Sequence, residues 1–276
     1  MTVSLAISPC PNDTFIFHAW VHGLVPGAPP VEVTYADVDV TNGLAEAGRL
    51  DVLKISYAAL PWVLDEYALL PAGGALGRGC GPLVLVASPP AGGRLDGARV
   101  AVPGERTTAY LLFRLWAADH DLAGVEVMPF EQIMPAVREG RVDAGLVIHE
   151  ARFTYQRFGL TRLVDLGEWW EEQTGLAIPL GAIVARRGLD VAAVADAIRG
   201  SLRRAWANPA ASRDYVLEHA QEMEPDVVDA HIGLYVTEHS LALGVDGLAA
   251  VRGLLTRAEA AGLVPAIRPG ALDPVG

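Results

Sequence analysis

Through roughly the first two thirds of the chain, short apolar runs alternate with longer mixed stretches. Residues 144–148, Ala-Gly-Leu-Val-Ile, form one such run, long enough for a buried strand and too short for a helix. The stretch before it reads as the end of an amphipathic helix closed by Gly140, since a glycine just past the last periodic residue stops a helix. The same wording occurs earlier. Gly48-Arg-Leu-Asp51 precedes the apolar stretch ending at Ser56, as Gly140-Arg-Val-Asp143 precedes the run ending at Ile148. Upstream of each copy stands Val-Glu-Val, at 31–33 and at 125–127. Further upstream, Leu5-Ala-Ile7 leads through a loop over 8–14 to a helix over 15–22. In the second copy Arg99-Val-Ala-Val102 leads through 103–108 to a helix over 109–119. Both halves read strand, loop, helix, strand, helix, strand, and a further helix is expected over 58–67 after the first.

A repeat this long is not a solenoid, whose period is about 20 to 50 residues. It predicts an α/β chain of two similar lobes. The stretch 88–97, Ser-Pro-Pro-Ala-Gly-Gly-Arg-Leu-Asp-Gly, is the best linker, stiff in its prolines and loose in its glycines. The second lobe runs on to a strand over 181–185, and Arg186-Arg-Gly188 marks the way out. From Asp190 the text is helical, over 191–208, 210–220, 225–239 and 247–261. Those helices have no strands of their own to cover, so they are expected to pack back on the first lobe. The expected division is therefore 1–90 with 188–276 as a discontinuous first lobe and 91–187 as the second. Two hinge crossings and a central ligand cleft follow from that layout.

Composition narrows the function. Of 276 residues, 51% are apolar and 20% charged, the balance of a soluble globular protein. The N-terminus enters a strand with no basic start and no signal-peptide core, which predicts a cytoplasmic protein. A formal charge of −12 argues against nucleic acid or an anionic membrane as partner. It leaves a small anionic molecule held by local donors. Cys10 and Cys80 fit two free thiols in a reducing compartment.

Loops at the carboxyl ends of equivalent strands gather one set of candidates, because ligands of open α/β sheets bind at that edge. The set is Ser8 to Asp13, with Asn12 and Asp13 within it, then Lys54 to Ser56, the 103–108 loop, and His149. Asn12 or Asp13 is also placed to cap a helix beginning near Thr14. Thr107 and Thr108 open a helix whose free N–H groups and dipole favour an anion. Lys54 adds a positive charge. His149 is a general base near neutral pH or a histidine hydrogen-bonded within the core. A regularly alternating strand turns Glu150 to the opposite face, which leaves it and Asp13 as the next bases to test.

Other features weigh less. His18 and His22 lie at i, i+4, as zinc ligands can, but no third ligand stands nearby and no metal is expected. Gly73 to Gly81 is glycine-rich, yet a dinucleotide loop follows a strand and opens a helix, whereas this one precedes a strand. Glu168-Trp-Trp-Glu-Glu-Gln-Thr-Gly175 is either a helix end with a packed tryptophan or the wall of a pocket for a flat ligand.

The motifs also resemble a family. Ser8-Pro-Cys-Pro-Asn-Asp-Thr-Phe-Ile-Phe17, the 73–79 glycines, Val102-Pro-Gly with Thr107-Thr-Ala-Tyr110, Gly145-Leu-Val-Ile-His-Glu-Ala-Arg-Phe-Thr-Tyr155 and Glu168-Trp-Trp-Glu-Glu resemble the 1,4-dihydroxy-6-naphthoate synthases of the futalosine route to menaquinone. The match runs through the whole chain. It implies the two-lobed fold of type II periplasmic binding proteins in a cytosolic enzyme with no metal or organic cofactor. It implies a lyase that converts cyclic dehypoxanthinyl futalosine to 1,4-dihydroxy-6-naphthoate with release of a three-carbon fragment. By the same resemblance His149 is the proton acceptor, and Lys54, Ile55, Ser56, Thr107, Thr108 and Ala109 contact substrate. Chorismate dehydratase, which shares the fold, and a non-catalytic small-anion-binding protein are the alternatives.

Overall fold

The structure is a computed structural model that describes residues 2–149, 151–220 and 224–273. The first stretch of chain forms β1 (Val3–Ile7), α1 (Pro11–Val21), β2 (Val31–Tyr35), α2 (Val38–Glu46), β3 (Val52–Ser56), α3 (Leu60–Val63), β4 (Tyr67–Leu69) and β5 (Ala75–Gly77). The middle forms β6 (Leu83–Val86), β7 (Arg99–Val102), α4 (Thr108–Trp116), β8 (Gly124–Val127), α5 (Phe130–Arg138), β9 (Ala144–Val147), α6 (Ala151–Thr154), β10 (Thr161–Asp165) and α7 (Leu166–Thr174). The remainder is β11 (Ile178–Arg186), α8 (Val191–Ala207), α9 (Arg213–His219), α10 (Pro225–Tyr235), α11 (Glu238–Leu241) and α12 (Gly244–Ala260).

Two sheets carry these elements, and their orders match. One runs β2-β1-β3-β11-β4, with β5 also paired to β11, and the other runs β8-β7-β9-β6-β10. In each, the first three strands are parallel and the next joins antiparallel: β11 along β3 in one, β6 along β9 in the other. The central strands β3 and β9 are buried throughout, as parallel strands covered on both faces must be. The edge strand β2 alternates half-buried and exposed positions.

The repeated Gly-Arg-apolar-Asp wording has a structural cause. Gly48 and Gly140 take left-handed φ of 61° and 70°, ending α2 and α5 where a side chain would strain the backbone. The next residue's N–H reaches back to the helix, Arg49 to Leu44 O at 2.8 Å and Arg141 to Ala136 O at 2.9 Å. The aspartate then fastens the new strand to the first one. Asp51 Oδ2 accepts from the Ser4 N–H at 2.9 Å, and Asp143 Oδ2 accepts from the Arg99 N–H at 2.8 Å. The aspartate N–H returns the bond, Asp51 to Ser4 O and Asp143 to Arg99 O.

The chain falls into two compact units, 1–77 with 179–276 and 78–178. The passages thus lie at 77/78 and 178/179 rather than at 90/91 and 187/188. Pairing decides this: β6 belongs to the second sheet, so the chain has crossed before the proline-glycine stretch, and β11 is already in the first sheet before Arg186-Arg-Gly188. The C-terminal helices do pack on the first unit. Ser201 of α8 accepts from the Trp20 N–H at 3.1 Å and donates to Ile16 O at 2.6 Å, docking on one turn of α1. Phe17, Trp20, Ile198, Leu202, Val216 and Val228 fill the core beside them.

Three elements differ from their sequence reading. α1 starts at Pro11 rather than near Thr14, because proline at the first helical position brings the right φ and no N–H to satisfy. Asp13 therefore lies inside the first turn and is not its cap. In place of a helix over 58–67 there is a 3₁₀ turn, the four-residue α3 and then β4. Pairing of Tyr67–Leu69 with Val184–Arg186 takes the last residues into the sheet. The expected helix over 225–239 breaks after Tyr235, where the Thr237 hydroxyl accepts from the His239 N–H at 3.2 Å and caps a new helix.

Gly81 and Gly167 meet backbone to backbone. A Cβ on Gly81 would stand 2.2 Å from the Gly167 nitrogen, and one on Gly167 would stand 2.7 Å from the Gly81 nitrogen. With backbone on both sides nothing can yield cheaply. Gly81→Ala should cost at least ~1–3 kcal/mol, the usual penalty of overpacking, seen as a lower melting temperature by circular dichroism. Cys80 next to it is 1% exposed, and burial pushes its thiol pKa up to about 12. Reactivity belongs to the thiolate, so Cys80 should resist iodoacetamide at pH 8 in the folded protein and react once denatured. Mass spectrometry before and after denaturation checks both states.

Candidate active site

In the first unit the carboxyl ends of β1 and β3 are joined by one buried carboxylate. Asp13, 1% exposed, accepts from four donors. The Ser8 hydroxyl stands at 2.7 Å and the Ser8 N–H at 3.2 Å from Oδ2. The Asn12 side-chain amide stands at 2.8 Å and Lys54 Nζ at 2.6 Å from Oδ1. Lys54 is itself 4% exposed and also donates to Gly73 O at 3.2 Å. The positive charge expected of Lys54 is thus paired with Asp13. Both oxygens of Asp13 are thereby engaged within this network.

The network extends to a residue sequence reasoning missed. With its Nδ2 turned to Asp13, Asn12 presents Oδ1 to His231 of α10, at 2.9 Å from Nε2. Oδ1 can only accept, so Nε2 carries the proton in this contact. His231 is 1% exposed, and nothing in its helical surroundings in the sequence points toward Asn12. Ser56 has a similar unread partner. Asn42 of α2, 1% exposed, accepts from the Ser56 N–H at 2.8 Å and donates to its hydroxyl at 3.2 Å. The available signal was a polar amide inside a helix, where asparagine is unfavourable without a specific partner. Ile55 lies between Lys54 and Ser56 with its side chain in the core.

In the second unit Thr107 caps α4. Its hydroxyl accepts from the Tyr110 N–H at 3.1 Å and donates to Gly104 O at 2.7 Å, so it is spent on the helix start. Thr108 and Ala109 supply the next amides, and both residues are buried. His149 lies in the turn between β9 and α6, half-buried, with φ of 56°. Left-handed backbone in a non-glycine residue costs of order 1–3 kcal/mol and concentrates at functional positions. Its ring meets that of Phe130 in a T-shaped contact, centroids 5.2 Å apart. Three residues on, Arg152 donates to Gly81 O at 2.7 Å and pairs with Asp165 at 2.6 Å. Glu150 lies outside the described residues.

The remaining candidates are the tryptophan pair, the histidine pair and the glycine-rich stretch. Trp170 is fully buried, its indole N–H on Ala177 O at 3.1 Å, and Trp169 is half-buried. The His18 and His22 rings are tilted against each other with centroids 4.5 Å apart, and Tyr215 lies against both. Burial and the neighbouring His22 lower the pKa of His18. Among the described residues no three His, Cys, Asp or Glu side chains are grouped to hold a metal, and no helix is long and apolar enough to cross a membrane. Gly73 is packed against Ile183 and Ile198 with φ of 80°, so this glycine serves close packing.

Comparison with known proteins agrees with this architecture. A family model described as menaquinone biosynthesis matches residues 3–260. A 1,4-dihydroxy-6-naphthoate synthase of Streptomyces coelicolor is 66% identical, covering 98% of each chain. One of Thermus thermophilus is 50% identical over 96% of this chain and 97% of its own. A solved protein of Archaeoglobus fulgidus is 34% identical, with TM-score 0.89 over 95% of this chain and 98% of that one. A Candida albicans protein described as having the generic periplasmic binding protein fold superposes with TM-score 0.69 at 11% identity, over 99% and 94%. The periplasmic-binding-protein-like fold expected from the motifs is therefore the one observed.

The Lys54–Asp13 geometry alters what a mutation at Lys54 should do. Removing one partner of a buried pair leaves the other charge uncompensated, at ~3–5 kcal/mol. Lys54→Met should lose about that much stability, and adding Asp13→Asn should restore a large part of it. Urea unfolding of the single and double variants measures both. Equal losses with and without Asp13→Asn would show that the pair is not what Lys54 supports.

Proposed function

We propose that this chain, which belongs to the menaquinone-biosynthesis family of 1,4-dihydroxy-6-naphthoate synthases, is a carbon–carbon lyase. Its substrate in this reading is cyclic dehypoxanthinyl futalosine, and its products are 1,4-dihydroxy-6-naphthoate and a three-carbon fragment. The observation that carries the reading is His149, a half-buried imidazole held in a left-handed turn at the carboxyl end of a central strand. Sequence, strain and position support a role there other than packing.

The chemistry suits a single base. Removing one proton from the substrate lets electrons flow toward a ring that becomes aromatic as the carbon–carbon bond breaks, so aromatisation supplies driving force. The protein then needs a placed proton acceptor and an oriented substrate. Neutral imidazole meets the first need, because general-base catalysis works best with a pKa near the operating pH. For the second, the start of α4 is suited to the substrate carboxylate: backbone N–H groups at a helix N-terminus point at an anion and the dipole favours it. Because the Thr107 hydroxyl is spent on Gly104 and Tyr110, the amides of Thr108 and Ala109 are the donors proposed for that contact. In the first unit Ser56, fixed on both polar groups by Asn42, is proposed as a substrate contact on the resemblance of its motif, with Lys54, Ile55, Asn12 and Asp13 as its support.

Incubation with the futalosine-derived substrate should yield the naphthoate by absorbance and mass. Turnover of chorismate instead would transfer the protein to the dehydratase reading, and binding without turnover of either would make it a binding protein. His149→Asn separates base from backbone, because asparagine also tolerates left-handed φ. A positioned base contributes ~10²–10⁴ in rate, so kcat should fall at least ~100-fold with the fold kept. In the unaltered protein kcat should decline on the acid side, where an imidazole base takes up its proton. Near-normal turnover in folded His149→Asn would remove His149 from the mechanism.

A further inference from the structure

The turn at His149 runs directly into a short helix. The helix after it, α6, has four residues, far short of the length at which a helix is stable alone. A left-handed φ at a non-glycine residue persists only where the surroundings over-determine it. The Arg152 N–H closes the turn weakly on His149 O at 3.4 Å, but its guanidinium reaches further. Nη1 donates to Gly81 O at 2.7 Å, and Nη2 pairs with Asp165 Oδ2 at 2.6 Å. The other Asp165 oxygen accepts from the Gly167 and Glu168 N–H groups at 2.8 and 3.2 Å, capping α7. The Asp165 side chain is fully buried and that of Arg152 is 16% exposed.

We infer that Arg152 is a positioning residue for His149: one guanidinium ties the turn after β9 to the chain entering β6 and to the start of α7. The inference rests on the reading of His149 as the base. Two acceptors in two directions call for a planar fork, which arginine has and the point charge of lysine lacks. Arg162 Nη1 stands 3.7 Å from the same Asp165 oxygen, so Asp165 keeps a positive neighbour when Arg152 is replaced. That makes a folded variant attainable. It also means that charge balance alone does not explain Arg152.

The test is a kinetic double-mutant cycle on the full chain with Arg152→Lys and His149→Asn, each alone and combined. A misplacement of about 1 Å can cost ~100-fold, so Arg152→Lys should lower kcat ~10- to 100-fold and leave KM within about threefold. If Arg152 acts through the imidazole, its effect disappears once the imidazole is gone. Arg152→Lys in the His149→Asn background should then change the residual kcat by less than about threefold, the non-additivity of residues that work as a unit. A merely structural role gives the same loss in both backgrounds, and that outcome would sink the inference while leaving His149 as the base. Unchanged kcat for folded Arg152→Lys would do the same. Near-normal turnover in His149→Asn alone would overturn both readings. Should Arg152→Lys fail to fold by circular dichroism, the cycle is run with Arg152→Gln plus Asp165→Asn, which removes both charges of the pair together.

Discussion

Both sheets depend on how a helix hands the chain to a parallel strand. At that joint a left-handed glycine ends the helix, and an aspartate three residues on bonds the first strand of the sheet from its side chain and its main chain together. The bond sets register, and register in a sheet is unforgiving, since a slip of one residue turns every side chain to the other face. With β3 and β9 buried on all residues, such a slip would carry core positions and strand-end residues out of place together. Ser56 and His149 stand where they do because Asp51 and Asp143 fix where their strands begin.

Beyond the joint, polar residues at the strand ends serve one another first. Asp13 collects donors from the loop after β1, from Asn12 and from β3, and Asn12 passes the network on to α10. A buried charge is tolerated only when paired and hydrogen-bonded, and each partner here meets that condition for another. Such a network holds the groups it joins in one arrangement. It stiffens the loop after β1 and ties it to β3.

His149 and Leu50 are the non-glycine residues with positive φ among those described, and they are held differently. Leu50 lies just past the helix end of the first unit, its carbonyl taken by the Tyr67 hydroxyl at 3.0 Å. His149 lies at the far end of its strand, beside an ion pair whose carboxylate also caps a helix. The close contact of Gly81 with Gly167 brings those two segments near enough for one arginine to reach both.

Local pattern alone determined much of this. The strands, the doubled order of elements, the glycine helix ends, the helical last third and the placement of His149 and Thr107 at element ends all follow from periodicity and capping, which depend on residues near in sequence. The family motifs were legible for the same reason, being short runs of adjacent residues. What only the tertiary structure decided involves partners far apart. Lys54 met Asp13 across 41 positions, His231 met Asn12 across 219, and Asn42 met Ser56 by the packing of α2 on β3. The passages between units also moved, because sheet membership of β6 and β11 is settled by pairing with strands elsewhere in the chain. Turn residues mark where a chain bends. Which sheet it then joins, and which charge is left for a ligand, depend on the groups that folding brings alongside.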